Sequence, residues 1–112
     1  MATIVKKAKV HFPAAAVWRR VASPGAVPAL TRDGELRKIL SVDHELRRLA
    51  YRLHDAPAPI EDHAASIVVE GDDHHAVVTW TTDLSPDSAR EVFADEADAL
   101  FASMLARVTS DH

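Results

Sequence analysis

Two aromatic side chains with polar tips, Tyr51 and Trp80, are the residues of this chain best suited to recognise a small molecule. Each lies on the apolar face of a segment with alternating polarity. Its ring can therefore enter the interior while its O–H or N–H orients a bound group. Both rings can equally fill the core, because a small domain needs its large side chains for burial. The sequence leaves ligand binding and core packing open for this pair.

Two ionisable residues, His63 and Lys38, add groups that could carry protons or charge. His63 follows Asp62 and lies across a predicted hairpin from Tyr51, and an imidazole near a phenol can move protons at neutral pH. The two faces of residues 63–70 are similarly apolar, so the pattern does not decide which face His63 takes. Lys38 could meet a ligand carboxylate inside a cavity, or it could discourage aggregation at a sheet edge.

The seven histidines are not spaced as metal ligands. The densest pair, His74-His75, falls in a predicted hairpin turn at Gly71-Asp72-Asp73, which favours a solvated turn. The chain has no cysteine and no HExxH-type spacing, which excludes thiolate metal sites, disulfides and thiol nucleophiles. We predict no metal and no cofactor, and the sequence assigns no catalytic residue.

The composition is that of a single soluble domain. The 112 residues, 47% hydrophobic and 27% charged, predict one domain over residues 1–112 with one modest core. The net charge of −4 argues against broad attraction to nucleic acid or anionic lipid. The chain shows neither a signal-peptide pattern nor a run of about 20 apolar residues. We therefore predict a cytoplasmic protein with no nucleic-acid partner and no membrane partner.

The elements that must position these residues follow from the periodicity of apolar side chains. Alternation predicts an antiparallel sheet of about five strands, at residues 3–12, 35–42, 46–54, 63–70 and 75–84. Pro13 opens a short helix over residues 13–22, because its fixed φ and missing N–H suit the first helical turn. The breakers in residues 22–34 predict an irregular connection before the second strand.

A long C-terminal helix is predicted over residues 86–108. Ser85 is the expected N-cap and Pro86 the expected first helical residue. One apolar stripe recurs at helical spacing, so this helix must lie across the apolar face of the sheet. The stripe consists of Ala89, Val92, Phe93, Ala97, Leu100, Phe101, Met104, Leu105 and Val108.

Three segments carry a resemblance to a known family. They are residues 10–18, ending in Val17-Trp18; residues 49–53 around Tyr51, followed by Pro57 and Pro59; and Val77-Val78-Thr79-Trp80 with the terminal helix. Together they resemble the START-related helix-grip superfamily (SRPBCC), in particular its polyketide cyclase/dehydrase and lipid transport group. The resemblance implies an α+β helix-grip fold in which the terminal helix closes a ligand cavity over a curved antiparallel sheet.

The chain departs from that family pattern in two places. The family usually has a second short helix and two more strands where this chain has only residues 22–34, which implies a shortened member with a reduced cavity. The strand at residues 35–42 would then be an exposed edge, open to pairing with a second chain. Lys38 stands where the family strand often carries a Glu, on a face shared with Leu36, Leu40 and Val42, so a mechanism built on that Glu does not transfer.

The leading hypothesis is a non-enzymatic protein that binds a small apolar or aromatic molecule between the sheet and the terminal helix. The predicted ligand-binding residues are Tyr51, Trp80, Lys38, His63, Phe93, Leu100, Phe101 and Met104. One alternative is a homodimeric interaction module with a filled core, paired through the 35–42 edge or the open side of the cavity. Another is a polyketide cyclase or dehydratase-like enzyme that moves protons with Tyr51, His63 or Lys38.

Overall fold

The computed structural model describes residues 2–22, 36–54 and 62–109, without the side chains of residues 36–40, 53–54, 89 and 92. The described chain forms the predicted α+β arrangement. Its elements are β1 (Ala2–Val10), α1 (Ala14–Ala22), β2 (Leu36–Asp43), β3 (Arg48–His54), β4 (Asp62–Gly71), β5 (Ala76–Ser85) and α2 (Ala89–Val108). The predicted connections at residues 23–34 and 55–59 lie outside the described residues.

The five strands form one antiparallel sheet in the order β1-β5-β4-β3-β2. The predicted antiparallel sheet is confirmed, and β1 and β2 are its two outermost strands within the described part of the chain. A strand pairs with a neighbour through its backbone, so the outermost strands present one side that no described strand covers.

One face of the sheet, the inner face, is buried beneath the helices. On β5 the residues Ala76, Val78, Trp80, Thr82 and Leu84 are buried, and the residues between them are half-buried. This alternation is the period of two that a strand with one covered face requires. The helix α2 packs on this face against β1 and β5, while α1 packs against β4, β5 and α2.

The apolar stripe of α2 faces the sheet as its spacing predicts. Its described members are buried or half-buried: Phe93, Ala97, Leu100, Phe101, Met104, Leu105 and Val108. The opposite side of the helix is exposed. Asp98, on an exposed flank of the helix, forms an ion pair with Lys6 of β1. Near the helix end, Arg20 Nη1 of α1 donates to the carbonyl of Val108 at 3.2 Å. That bond satisfies one of the carbonyls that a helix leaves without an intrahelical donor.

The predicted start of the long helix is wrong. β5 continues through Ser85, which is paired with Asp62 of β4, and α2 begins only at Ala89. Ser88 precedes the helix without a side-chain cap hydrogen bond, so the N-cap predicted at Ser85 does not form. The Ser85-Pro86 signal is local, and pairing with the neighbouring strand overrides it.

A bulge in β2 moves Lys38 away from its predicted face. The register of β2 against β3 shifts just after Ile39. Lys38 stands opposite the exposed Arg52, and Ile39 stands opposite the buried Tyr51. Directly opposed residues share a face, so Lys38 takes a register position on the outer face, whereas Val42 beyond the bulge takes one on the inner face. The prediction that Lys38 and Val42 share a face is therefore wrong.

The predicted turn between β4 and β5 forms around Gly71 and Asp72. Gly71 has φ of 141°, and a Cβ there would lie 2.1 Å from the carbonyl oxygen of His75, so the position requires glycine. Asp72 Oδ1 accepts hydrogen bonds from the backbone N–H of His74 at 2.8 Å and of His75 at 2.9 Å. These bonds, that from His74 first, hold the pKa of Asp72 below its ordinary value of 3.8.

We expect the Asp72→Ala variant to unfold at a lower temperature than the wild type at pH 7. The folded pKa of Asp72 lies below its unfolded value, so ionised Asp72 stabilises the fold above pH 3.8, and this contribution is lost as the pH falls through the folded pKa. Thermal melts across this range should show the gap in Tm closing at acidic pH. Asp73→Ala, in the same exposed turn, is the matched control, and an Asp72→Ala gap that does not change with pH would contradict the assignment.

Candidate functional site

Trp80 lies at the centre of an aromatic cluster between the sheet and α2. Its indole Nε1–H donates to the hydroxyl of Tyr51 on β3 at 3.0 Å, and both side chains are fully buried. The Trp80 ring lies nearly parallel to Phe101, with centroids 6.1 Å apart and planes inclined by 13°. Phe93 meets the same indole edge-on, at 6.2 Å. Offset and edge-to-face arrangements of this kind are favourable beyond simple burial of area.

His63 lies at one end of this cluster, and the structure decides the face that the sequence left open. The histidine points to the inner face and is only 1% exposed. Its Nε2 is 3.4 Å from Thr82 Oγ1 on the neighbouring strand, and its ring meets Phe93 edge-on at 5.0 Å. His63 and Thr82 are the two buried polar residues in the described part of the chain. They form a polar spot at the edge of an apolar interior.

The rest of the interior has no fully buried charge among the described side chains, and Lys6, which stands opposite Trp80, is partly exposed and paired with Asp98. No Lys, Arg, Asp or Glu is buried among the residues whose side chains the structure describes. Apolar side chains from both layers surround the aromatic cluster, with Ile67 and Val78 from the sheet and Ala97 and Met104 from α2. Such an interior suits neutral groups, because an unpaired charge is costly to transfer out of water.

The structure brings most of the predicted site residues together beneath α2. Those buried on or against the inner face are Tyr51, Trp80, His63, Phe93, Phe101 and Met104, and Leu100 is half-buried. Lys38 is the exception, because the bulge gives it a register position on the outer face. Whether each of these residues binds a ligand stays a prediction.

Sequence reasoning missed Thr82 as a member of the site. The available signal was parity, since Thr82 follows Trp80 by two positions on the same strand and so shares its face. A threonine near the end of a strand is typical of a surface position, and only a polar side chain beside it on the next strand would indicate otherwise. That partner, His63, was the residue whose face the sequence could not decide.

The hydrogen bond between Trp80 and Tyr51 shows that both residues help to hold the core. A buried indole N–H without an acceptor would be destabilising, and Tyr51 supplies that acceptor. The pair therefore serves the packing role that the sequence left open. A second tryptophan follows the same rule, since Trp18 Nε1 donates to His44 Nδ1 at 3.1 Å and so joins α1 to the turn after β2.

The clustered histidines at the opposite end of the sheet form ring contacts. His11 and His75 meet edge-on at 5.2 Å, and His74 lies beside them in the exposed turn. Within the described ranges, no group of three or more His, Asp or Glu residues is placed to hold a metal ion. No helix in the described part of the chain is long and apolar enough to cross a membrane.

Solved structures show what this chain resembles. A Thermobifida fusca protein is 31% identical at a TM-score of 0.73, and the alignment covers 96% of this chain and 91% of that one. The di-domain ARO/CYC protein BexL of the BE-7585A biosynthetic pathway is 16% identical at a TM-score of 0.74, and the alignment covers 96% of this chain and 46% of that one. A truncated norcoclaurine synthase from Thalictrum flavum is 14% identical at a TM-score of 0.70, and the alignment covers 99% of this chain and 95% of that one. No protein-family model and no curated protein matches the sequence.

The five-stranded antiparallel sheet with a long C-terminal helix on its inner face defines a helix-grip protein. The chain has the fold of the START-related helix-grip superfamily (SRPBCC), as the resemblance predicts. The Thermobifida fusca protein, at 31% identity, is a relative of this chain. The two biosynthetic proteins, at much lower identity, show the shared fold alone. A shared fold does not settle function, so the site within this chain has to be argued from its own residues.

We expect the Tyr51→Phe variant to be less stable than the wild type by about 1–3 kcal/mol, because it leaves the buried Trp80 N–H without the Tyr51 acceptor. The measurement is urea unfolding followed by circular dichroism. Arg52→Ala changes the adjacent, exposed residue of the same strand and should shift stability by no more than about 0.5 kcal/mol. Equal effects of the two substitutions would show that the Tyr51–Trp80 bond adds nothing to stability.

Proposed function

We propose that this protein binds a small, uncharged aromatic molecule between the inner face of the sheet and α2. One observation carries the proposal: an aromatic cluster around Trp80 adjoins the buried pair His63 and Thr82, in an interior where the described side chains include no buried carboxylate, lysine or arginine. The resemblance to helix-grip proteins supports a ligand at this position. Most of the predicted binding residues fit this assignment, and Lys38 does not.

The chemistry of the space favours a flat ring that carries one or a few oxygens. A planar ligand gains about 0.5–1.5 kcal/mol for each well-oriented contact with an aromatic side chain such as Phe93 or Phe101. A ligand hydroxyl or carbonyl directed at His63 and Thr82 would exchange hydrogen bonds with a polar spot that is already buried. A fatty-acid carboxylate should bind poorly, because Lys6, the cation that stands opposite Trp80, is already paired with Asp98, and an unpaired charge is costly to bury.

A ligand must compete with contacts that the interior side chains make with one another. Trp80 contacts Phe93 and Phe101 directly, and the polar tips of Trp80 and Tyr51 are joined. Met104 is the lining side chain best able to adjust, because it is unbranched and has several rotatable bonds. Binding should therefore change the surroundings of Trp80 more than those of any residue on the outer face.

The two tryptophans provide a built-in control for this proposal. In a Trp18→Phe variant the only indole is Trp80, and titration with the neutral flavonoid naringenin should quench its fluorescence saturably and raise Tm. In the reciprocal Trp80→Phe variant the only indole is Trp18, near the surface-exposed His44, and the same titration should quench it weakly. Palmitate is the charged, non-aromatic control, and stabilisation by palmitate equal to that by naringenin would contradict the proposed ligand class.

We expect the His63→Leu variant to weaken binding of naringenin about tenfold, the equivalent of one lost hydrogen bond. Unsubstituted flavanone has the same ring skeleton without the hydroxyl groups and should lose much less affinity. Isothermal titration calorimetry of both compounds against both proteins gives the four affinities. A loss of equal size for the two compounds would mean that no naringenin hydroxyl is hydrogen-bonded to His63.

Proton transfer on a bound aromatic molecule is the second candidate function. The observation that favours it is the placement of His63 on the inner face, within 3.4 Å of Thr82 Oγ1 and beside the aromatic cluster. An imidazole can accept or donate a proton near neutral pH once a substrate lies within hydrogen-bond reach. A His63→Gln variant that retains binding and loses turnover of an aromatic polyketide substrate would support it, whereas unchanged turnover would remove it.

A further inference from the structure

The two outermost strands of the described sheet differ in charge. β1 has three lysines among its nine residues and no acidic residue. Pairing β1 with another β1 would bring like charges together, and lysines on an edge strand are a common protection against such pairing. β2 carries both signs, with Arg37 and Lys38 near its start and Asp43 at its end. Of these two strands, only β2 can be complementary to itself.

The end of β2 also exposes apolar side chains. Val42 is 41% exposed and Leu46, in the turn that follows, is 67% exposed. Within its own sheet, Val42 stands opposite the buried Leu49 on the inner face. An apolar residue in an inner-face position of an outermost strand is left exposed because no described strand continues the sheet beyond it. A further strand beside β2 would cover it.

We propose that β2 pairs in antiparallel fashion with β2 of a second copy of this chain, so that the two sheets join across a two-fold axis. An axis perpendicular to the sheets keeps inner face with inner face, so only residues of the same face can stand opposite one another. One register meets this condition with favourable partners. Lys38 stands opposite Asp43 of the partner subunit, and Ile39 stands opposite Val42 of the partner subunit.

The bulge in β2 makes this register possible. Lys38 and Asp43 are five positions apart and would lie on opposite faces of a regular strand. Because of the register shift after Ile39, Lys38 stands opposite Arg52 and Asp43 stands opposite Arg48, and both of these β3 residues lie on the outer face. The bulge therefore puts the two opposite charges on one face, as it puts Ile39 and Val42 on the other. Two-fold symmetry produces each pair twice, and the bulge falls at the axis.

Asp43 is already oriented for such a contact. Its Oδ1 accepts from the backbone N–H of Glu45 and of Leu46, both at 3.0 Å, which fixes the carboxylate at the end of the strand. The second carboxylate oxygen is the one offered to Lys38 of the partner subunit. Ordering a carboxylate before it meets its cation reduces the side-chain entropy lost on pairing.

Sedimentation velocity over a range of concentrations tests the proposal, with the wild type expected to show a concentration-dependent dimer. Lys38→Glu sets two carboxylates opposite each other twice per dimer and should raise the dimer dissociation constant at least about tenfold. Lys7→Glu makes the same charge change on the outer face of β1 and is the matched control, with no expected effect. Circular dichroism establishes that each variant is folded.

Exchanging the charges at positions 38 and 43 between two variants is the most specific part of the test. Lys38→Glu and Asp43→Lys should each be monomeric alone, and mixing the two variants should yield a heterodimer because every opposed pair is then attractive. Asp43→Lys also removes the turn acceptor, so Asp43→Asn, which retains an oxygen acceptor and loses the charge, is the alternative if it does not fold. A wild type that stays monomeric throughout, or a Lys38→Glu variant that dimerises as well as Lys7→Glu, would overturn the proposal.

Discussion

The burial of Trp80 with its indole N–H satisfied is the constraint around which the interior is arranged. The largest buried side chain lies on the middle of β5, and its N–H has to find an acceptor away from water. Tyr51, two strands away, supplies the acceptor, so β3 and β5 must lie close in register across β4. Phe93 and Phe101 on α2 complete the contacts of the ring and fix where the helix lies on the sheet.

Elements with strong periodicity were predictable from the sequence. The alternation around Trp80 and the stripe around Phe101 each identify one buried face, because burial on one side of a strand or helix selects apolar residues at its period. All five strands and both helices are therefore found where the pattern places them, with shifts of a few residues at their ends. The largest shift is at Ser85-Pro86, where pairing with β4 outweighs a local helix-start signal.

The features on which the proposals rest were harder to predict because they depend on neighbouring strands. Both faces of β4 are apolar, so the face of His63 is set by its partners and not by its own segment. The bulge after Ile39 exchanges the faces of the residues that follow it in β2, and nothing in the local sequence indicates the bulge. Thr82 becomes notable only once His63 is known to lie beside it. Face assignments are robust where one side is clearly polar and fail where it is not.

The same interior side chains fill the core and form the proposed binding space, so ligand binding and stability should be coupled in this protein. The most direct test of the central claim is NMR of the complex with naringenin, measuring intermolecular nuclear Overhauser effects. The proposed site predicts effects from the aromatic protons of naringenin to the methyl group of Met104 and the ring protons of Phe101 and Trp80. Effects confined to surface residues such as Val5, or none at saturation, would contradict a ligand site beneath α2.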